Sequence, residues 1–154
     1  MLTITLEPMK GNEWSEDSIG RQLFLTSKQA RAYHAKRLAE AGASFGQWTI
    51  LATLRSGEPF IQRALAERLS IEGPTLSRYL VQMEAAGLIR RQPSDTDRRA
   101  ATIELTEAGR RRYQELAEVA VAGHKQLMTG FTDAEVDALR DMLKRIQQNV
   151  RLYG

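Results

Sequence analysis

The sequence predicts a mainly α-helical protein with one small β-hairpin, an α+β fold class. Apolar residues recur at a spacing near 3.6 over most of the 154 residues, as expected for amphipathic helices. Two short strand-like runs flank turn-forming residues between positions 88 and 105. An apolar content of 42% is sufficient for a core in one compact domain or in two closely integrated lobes.

Six helices are predicted from apolar stripes and from capping residues. They cover approximately residues 15–41, 44–54, 61–69, 74–86, 106–128 and 132–150. Ser44 with Gln47, and Thr132 with Glu135, match the capping box at a helix start. Pro74 suits a first helical position, where its missing amide costs nothing. The first, fifth and sixth helices are long and amphipathic for so small a protein, so they need another surface to bury against.

The third and fourth predicted helices are separated by a short turn, which is the helix-turn-helix arrangement. In the fourth helix Leu76, Leu80 and Met83 share one face, because successive residues are about 100° apart. The opposite side and its flanks carry Pro74, Thr75, Ser77, Arg78, Val81 and Gln82. In this arrangement the second helix enters the major groove of DNA. Arg78 can make a bidentate contact to guanine worth about 1–3 kcal/mol of discrimination.

A basic turn follows this helix at a short distance. The extended runs 88–92 and 101–105 flank a polar tip that carries Asp97, Arg98 and Arg99. Two arginines on a turn between strands suit insertion into a minor groove, where narrow A·T tracts concentrate negative potential. Asp97 is expected to orient an arginine. A lone outward arginine on a helix is often only solvated, but the helix and the basic hairpin together favour DNA binding.

The positive charge is local rather than general. The chain has 22 basic and 19 acidic residues, a net charge of +3, which alone is a weak indication of a polyanionic partner. From residue 88 to residue 112, however, there are seven arginines and four acidic residues. Double-stranded DNA is therefore the expected partner of this segment.

The residue inventory argues against several other classes of protein. The absence of cysteine excludes disulfides, zinc–thiolate sites and thiol-based redox sensing in this chain. His34 and His124 are too far apart for a short-spaced metal motif, and no catalytic or phosphate-cradling motif is recognisable, so neither a cofactor nor an enzyme is expected. No signal peptide or long apolar run is present, which predicts a soluble cytoplasmic protein without membrane contact.

The segment from about residue 60 to residue 110 resembles one known family. The run from Asp97 to Gly109 matches D-x-R-x-x-x-hydrophobe-x-L-T-x-x-G, the wing signature of the MarR/SlyA transcriptional regulators. Three upstream motifs match the helix-turn-helix of that family, closest to its SlyA branch. They are L-A-E-R-L at 65–69, P-T-L-S-R at 74–78 and M-E-A-A-G-L-I-R-R at 83–91. The six-helix pattern extends the resemblance to nearly the whole chain.

The resemblance implies a winged helix-turn-helix protein with an intertwined helical dimerisation region. The chain then divides into an N-terminal tail (1–14), a dimerisation region (15–44 and 107–154) and a DNA-binding domain (45–106). A homodimer would bind a pseudo-palindromic operator, with each recognition helix in a major groove and each wing in a flanking minor groove. The implied function is transcriptional regulation, interpreted as repression that a small aromatic or phenolic ligand relieves.

The resemblance also assigns roles by position. Pro74, Thr75 and Arg78 resemble the base-reading set, and Arg99 resembles the minor-groove arginine that Asp97 orients. Arg98 resembles a phosphate or salt-bridge residue, and Arg90 and Arg91 would flank the DNA backbone. The expected DNA-binding residues are therefore Pro74, Thr75, Ser77, Arg78, Gln82, Arg90, Asp97, Arg98 and Arg99.

A ligand site is expected between the dimerisation helices and the winged lobe, where many members of the family bind a small aromatic acid. Tyr33, His34, Arg37 and Trp48 are the candidates to line it, because they offer stacking surface and a cation for a carboxylate. Such a ligand would change the distance between the two recognition helices and so weaken two-fold binding. Each residue also has an ordinary interpretation, since tryptophans at helical spacing are usually core and single histidines are usually satisfied.

Two other functions fit parts of the sequence less well. A winged-helix protein-interaction module without DNA binding would use the same helices, but the basic hairpin tip argues against it. A metal-sensing winged helix is disfavoured by the missing cysteines and by the presence of only two histidines.

Overall fold

The computed structural model of the chain describes residues 18–93 and 101–153. In these ranges the elements are α1 (Ile19–Glu40), α2 (Phe45–Leu54), β1 (Phe60–Ile61), α3 (Gln62–Leu69), α4 (Gly73–Ala85), β2 (Ile89–Pro93), β3 (Ala101–Leu105), α5 (Glu107–Leu127) and α6 (Asp133–Tyr153). The predicted α+β class, mainly helical with a small hairpin, is confirmed. The predicted tail (1–14) and the hairpin tip with Asp97, Arg98 and Arg99 lie outside the described residues.

Side-chain caps begin several helices at or near the predicted residues. Thr132 and Glu135 form a complete capping box: the amide of Thr132 donates to Oε2 of Glu135 at 2.8 Å, and the amide of Glu135 donates to Oγ1 of Thr132 at 3.3 Å. Ser44 caps α2 as predicted. The cap of α1 is Ser18, three residues after the predicted Ser15. Both serines carry a suitable oxygen, so residue type alone did not separate them.

The sheet has three antiparallel strands in the order β1-β3-β2, one strand more than the predicted hairpin. β2 and β3 form that hairpin, and β1 adds two residues on the far side of β3, with Phe60 opposite Ile103 and Ile61 opposite Thr102. Ile61, predicted to lie in the third helix, belongs to β1, and that helix begins at Gln62. A strand of two residues is too short to show the alternation by which strands are recognised.

The core lies between the first five helices and the sheet. Its most deeply buried large side chains are Leu38, Ile50, Leu51, Leu54, Leu65, Leu76, Leu80, Ile103 and Leu116. The predicted inner face of α4 is confirmed, since Leu76, Leu80 and Met83 are all buried. Helix α6 contributes no buried residue from the part of it whose side chains are described. Among the described residues, no helix combines the length and apolar character needed to cross a membrane.

Backbone contacts at Thr106 and Gly109 join the hairpin to α4 and α5. After α4, Gly87 adopts a φ of 70°, which residues other than glycine rarely reach. Oγ1 of Thr106 donates to the carbonyl of Gly87 at 2.6 Å and accepts the amide of Gly109 at 3.0 Å. The amide of Thr106 donates to the carbonyl of Leu88 at 3.1 Å. These bonds fix the start of α5 against the turn that follows α4.

Replacing Gly109 by alanine is expected to destabilise the protein by about 1–3 kcal/mol, the usual cost of overpacking. A Cβ at this position would overlap the carbonyl oxygen of Leu88, a backbone atom that cannot rotate away. Urea unfolding measures the change. Gly20→Ala is the matched control, because nothing lies within 4 Å of a Cβ there; alanine should stabilise that helix by about 0.5–1 kcal/mol. Wild-type stability in Gly109→Ala would contradict the close approach.

Candidate nucleic-acid interface

The turn between α3 and α4 is set by local backbone chemistry. Ser70 follows α3 in the left-handed conformation, with a φ of 51°. Its amide donates to the carbonyl of Glu67 at 3.2 Å, and the amide of Ile71 donates to the carbonyl of Ala66 at 3.0 Å. This pair of bonds is the Schellman pattern that ends a helix and reverses the chain. Pro74 in the first turn of α4 then restricts the backbone where the second helix begins.

A side-chain hydrogen bond ties the same two helices together. Nε2 of Gln62, the first residue of α3, donates to Oγ of Ser77 on the flank of α4 at 2.5 Å. The Ser77 hydroxyl is therefore used as an acceptor inside the protein, and its own proton remains available to donate. Ser77 can therefore still donate to an acceptor such as a phosphate oxygen.

The predicted reading face of α4 is accessible. Pro74, Arg78 and Gln82 are exposed, and Thr75 and Ser77 are half-buried. Within residues 18–93 and 101–153, Arg78 forms no hydrogen bond or ion pair. All five N–H donors of its guanidinium are thus available to a partner in the groove.

Both hairpin arginines that were predicted to flank the DNA backbone are held in ion pairs. Nη2 of Arg90 lies 3.0 Å from Oε2 of Glu104, its cross-strand neighbour, and Nε donates to the same oxygen at 3.3 Å. Nε of Arg91 lies 3.2 Å from Oε2 of Glu84 on α4. Such partly exposed pairs contribute only about 0–1 kcal/mol. Within residues 18–93 and 101–153 the Nη1 group of Arg90 has no hydrogen-bond partner, so in that part of the chain the Glu104 pair orients this arginine without using all of its donors.

Three of the four predicted ligand residues form one cluster on α1, against the C-terminal half of α5. The hydroxyl of Tyr33 donates to Oε1 of Gln126 at 2.7 Å, and Nη1 of Arg37 donates to the same oxygen at 3.3 Å. The Arg37 guanidinium carbon lies 5.7 Å from the centroid of the Tyr33 ring, and the His34 ring meets that ring edge-on at 5.5 Å. Gly123 gives His34 room, since a Cβ there would lie 3.2 Å from the imidazole.

Trp48 does not join this cluster. Its ring stacks on Tyr113 with centroids 5.6 Å apart and planes 5° from parallel. Tyr113 precedes Gln126 by thirteen residues on α5, which corresponds to about 20 Å along the helix axis. Trp48 therefore lies beside the N-terminal half of α5, apart from the three residues that lie against its C-terminal half.

A cavity of about 290 Å³ lies instead between α1, α2 and the start of α4. Its lining includes Arg31, Phe45, Gly46, Thr49, Ile71, Glu72 and Tyr79. The Arg31 guanidinium carbon lies 5.3 Å from the centroid of the Phe45 ring. This cavity is not predictable from the sequence, since its lining comes from separate segments that share no motif.

The fold and this site define a winged helix-turn-helix protein, and known proteins agree with that class. Residues 42–100 match the model of the MarR family. The chain is 25% identical over 134 residues to the HTH-type transcriptional regulator YwoH of Bacillus subtilis, a match that covers 84% of this chain and 97% of YwoH. The crystal structure of the transcriptional regulator PA3341 is 34% identical with a TM-score of 0.77, covering 86% of this chain and 97% of that chain.

A mutant MarR from E. coli, solved in complex with operator DNA, shares the fold as well. Its TM-score is 0.74 at 22% identity, and the match covers 83% of this chain and 92% of that chain. The chain belongs to the MarR family of transcriptional regulators. The family recognised from the sequence is thus confirmed, and the matched proteins are regulators rather than enzymes.

The His34 cluster makes stability depend on pH. Burial lowers the pKa of His34 below its ordinary value of 6.5, and the positive charges of His124 and Arg37 lower it further. The folded protein therefore favours neutral His34, whereas the unfolded chain takes up a proton near the ordinary value. As the pH falls from about 7.5 towards the lowered folded-state pKa, the unfolding free energy is expected to decrease, because the unfolded state binds more protons.

His34→Gln should reduce this dependence of the unfolding free energy on pH, as measured by urea unfolding at a series of pH values. His124→Gln is the matched control, because it keeps His34 and its burial, the largest cause of the lowered pKa. It should therefore retain most of the slope. A slope that persists unchanged in His34→Gln would rule out this histidine as its source.

Proposed function

We propose that this regulator binds a pseudo-palindromic DNA operator as a homodimer and represses transcription there until a small aromatic ligand releases it. The observation that carries the proposal is the outward face of α4, where Arg78 is exposed and has no partner in the described part of the chain. A protein that regulates genes in this way works on the chromosome, so the proposal places it in the cytoplasm.

In this proposal some side chains of α4 contact bases and Ser77 contacts the DNA backbone. Arg78 reads guanine through a bidentate contact, and Gln82 can read adenine in the same way. Pro74 and Thr75 lie near the start of α4, which is the part of a recognition helix that approaches base edges. Ser77 donates to a phosphate. The solved complex of a mutant MarR with operator DNA, on the same fold, supports this docking.

The wing completes the proposed interface. Arg90 contacts a phosphate through the donors that Glu104 leaves available. For the tip, the roles rest on the sequence: Arg99 enters the minor groove, Asp97 orients it, and Arg98 contacts a phosphate. A·T-rich flanks would be preferred, because a narrow minor groove concentrates negative potential.

Apolar surface on the outer helices supports the homodimer. In α6, Leu139, Met142, Leu143 and Val150 are exposed along one side of the helix. At the start of α1, Phe24 is exposed as well. A monomer rarely leaves so much apolar surface in contact with water. A second copy related by a two-fold axis would cover both surfaces and would present two copies of α4 to a palindromic site.

The cavity lined by Arg31 and Tyr79 is the proposed ligand site. Arg31 offers a cation for a carboxylate, Phe45 offers a ring to stack on, and Glu72 can accept a hydrogen bond from a phenolic hydroxyl. About 290 Å³ accommodates a single-ring compound. The proposed ligand would thus lie beside α4, whereas the Tyr33 hydroxyl and Nη1 of Arg37 donate to Gln126.

Arg78→Ala is expected to weaken binding to a duplex selected from a random-sequence pool by about thirtyfold or more, because the homodimer loses two guanine contacts worth about 1–3 kcal/mol each. Fluorescence anisotropy measures the affinity. Arg140→Ala, which removes the same charge from α6, is the matched control and should bind nearly as the wild type does. The wild-type affinity should fall with salt at a log–log slope of about −0.9 per neutralised phosphate, and the complex should contain two chains per duplex.

The same measurement separates the proposal from the alternative function. A winged-helix module for protein partners would bind no selected duplex, and no sequence would be enriched from the pool. If the wild type binds but Arg78→Ala matches it, the DNA-binding function stands and the reading role of Arg78 is wrong.

For the ligand, 2-hydroxybenzoate is expected to release the wild type from its operator, because it occupies the cavity next to α4. Arg31→Ala should bind DNA normally and lose this response, since the carboxylate loses its cation. Arg37→Ala is the control and should keep the response. Loss of the response in Arg37→Ala and its retention in Arg31→Ala would instead indicate a ligand site at the Tyr33–Arg37 cluster. The anisotropy titration used for Arg78 measures the response of both variants.

A further inference from the structure

The side of α4 that lies farthest from the core is largely apolar. At about 100° per residue, the positions opposite the buried face are Pro74, Arg78, Val81 and Ala85. All four are exposed. Arg78 is the only polar member of this outermost stripe, although the flanks of the helix carry hydroxyl, amide and carboxylate groups.

Val81 is the residue in this stripe that the fold does not explain. Its exposed fraction is 60%, and it belongs neither to the buried core nor to the apolar residues packed against it. Valine also favours a helix less than alanine, lysine or glutamate would at the same position. Val81 supports neither solubility nor helix stability. A contact with an apolar group of a binding partner would account for a valine at this position.

The spacing between Val81 and Arg78 identifies the chemistry of that partner. The two residues are three positions apart, or about 4.5 Å along the axis, on the same side of the helix. Base pairs in B-DNA are about 3.4 Å apart. When Arg78 reaches the N7 and O6 atoms of a guanine, Val81 therefore lies over a base pair one or two steps away. The apolar group that a base pair presents in the major groove is the C5-methyl of thymine.

We propose that Val81 contacts a thymine methyl group one or two base pairs from the guanine read by Arg78, and so makes thymine at that position a determinant of the operator. This inference rests on the proposed DNA-binding function. A protein surface over the same stripe would have to bury Arg78 with Val81, and an arginine without a partner is costly to bury. DNA accommodates both side chains, since it offers acceptors and methyl groups side by side.

The test uses the full-length protein and a duplex selected from a random-sequence pool. Each thymine in turn is replaced by deoxyuridine, which lacks only the methyl group. For the wild type, one thymine in each half-site should show a loss of about fourfold in affinity, the value of one buried methyl-sized group. Val81→Ala should bind the duplex with thymine more weakly than the wild type does. The methyl ratio, which is the affinity for the thymine duplex divided by the affinity for the deoxyuridine duplex, should fall to about one.

Further variants separate this contact from a general loss of binding. Val121→Ala, in which a valine of similar exposure is removed from α5, should keep the ratio of affinities for the thymine and deoxyuridine duplexes that the wild type shows. Arg78→Ala should lose the preference for guanine and keep the methyl ratio. Val81→Thr retains one γ-methyl with nearly the same shape, so part of the ratio should remain, and this variant also covers the case in which the alanine variant is poorly folded.

The outcomes distinguish a failure of the DNA-binding function from a failure of the inference about Val81. If no duplex is enriched and bound, the DNA-binding function fails, and the role of Val81 fails with it. If the wild type binds but tolerates deoxyuridine at every thymine near the guanine, or if Val81→Ala keeps the full methyl ratio, the DNA-binding function stands and the inference about Val81 is overturned.

Discussion

The turn at Gly87 and Leu88 is the point at which α4, the hairpin and α5 are held together. Thr106 binds both carbonyls of this turn, and Gly109 packs on one of them. One turn further along α5, Nη2 of Arg112 donates to the carbonyl of Ala41 at 2.7 Å, where α1 ends. The proposed reading helix is thus connected through these contacts to α5 and to the end of α1. Its position in a dimer would depend on how those helices are placed.

The contacts at Thr106 and Gly109 also show which kinds of feature a sequence can predict. The wing signature contains Thr106 and Gly109 at fixed positions, and the structure gives both a physical reason, a side-chain cap and a place where a Cβ has no room. Features of this kind are predictable because they act within a few residues, as do the caps at Ser44 and Thr132 and the buried stripe of α4. Their cause is contained in the segment that shows them.

The features that the sequence did not predict depend on how distant segments face each other. The sequence predicts a contact of Arg90 to the DNA backbone but not its ion pair with Glu104, because only the strand register shows that Glu104 lies opposite it across the hairpin. The residue type of Trp48 suits a ligand site, but the orientation of α2 places its ring against Tyr113. Helix periodicity gives the direction of a side chain relative to its own helix. Which helix it then meets is decided by packing, for which a single sequence has no short-range signal.

Tyr79 connects the cavity behind α4 with the surface in front of it. Gly46 makes room for its ring, because a Cβ there would overlap it. The ring lines the cavity of about 290 Å³ and, with Thr75, Arg78 and Gln82, also borders a smaller one of about 190 Å³ on the reading side. A molecule that fills the larger cavity would therefore contact a side chain next to Arg78 in sequence. Tyr79 is therefore a direct structural link between the proposed ligand site and the proposed reading face.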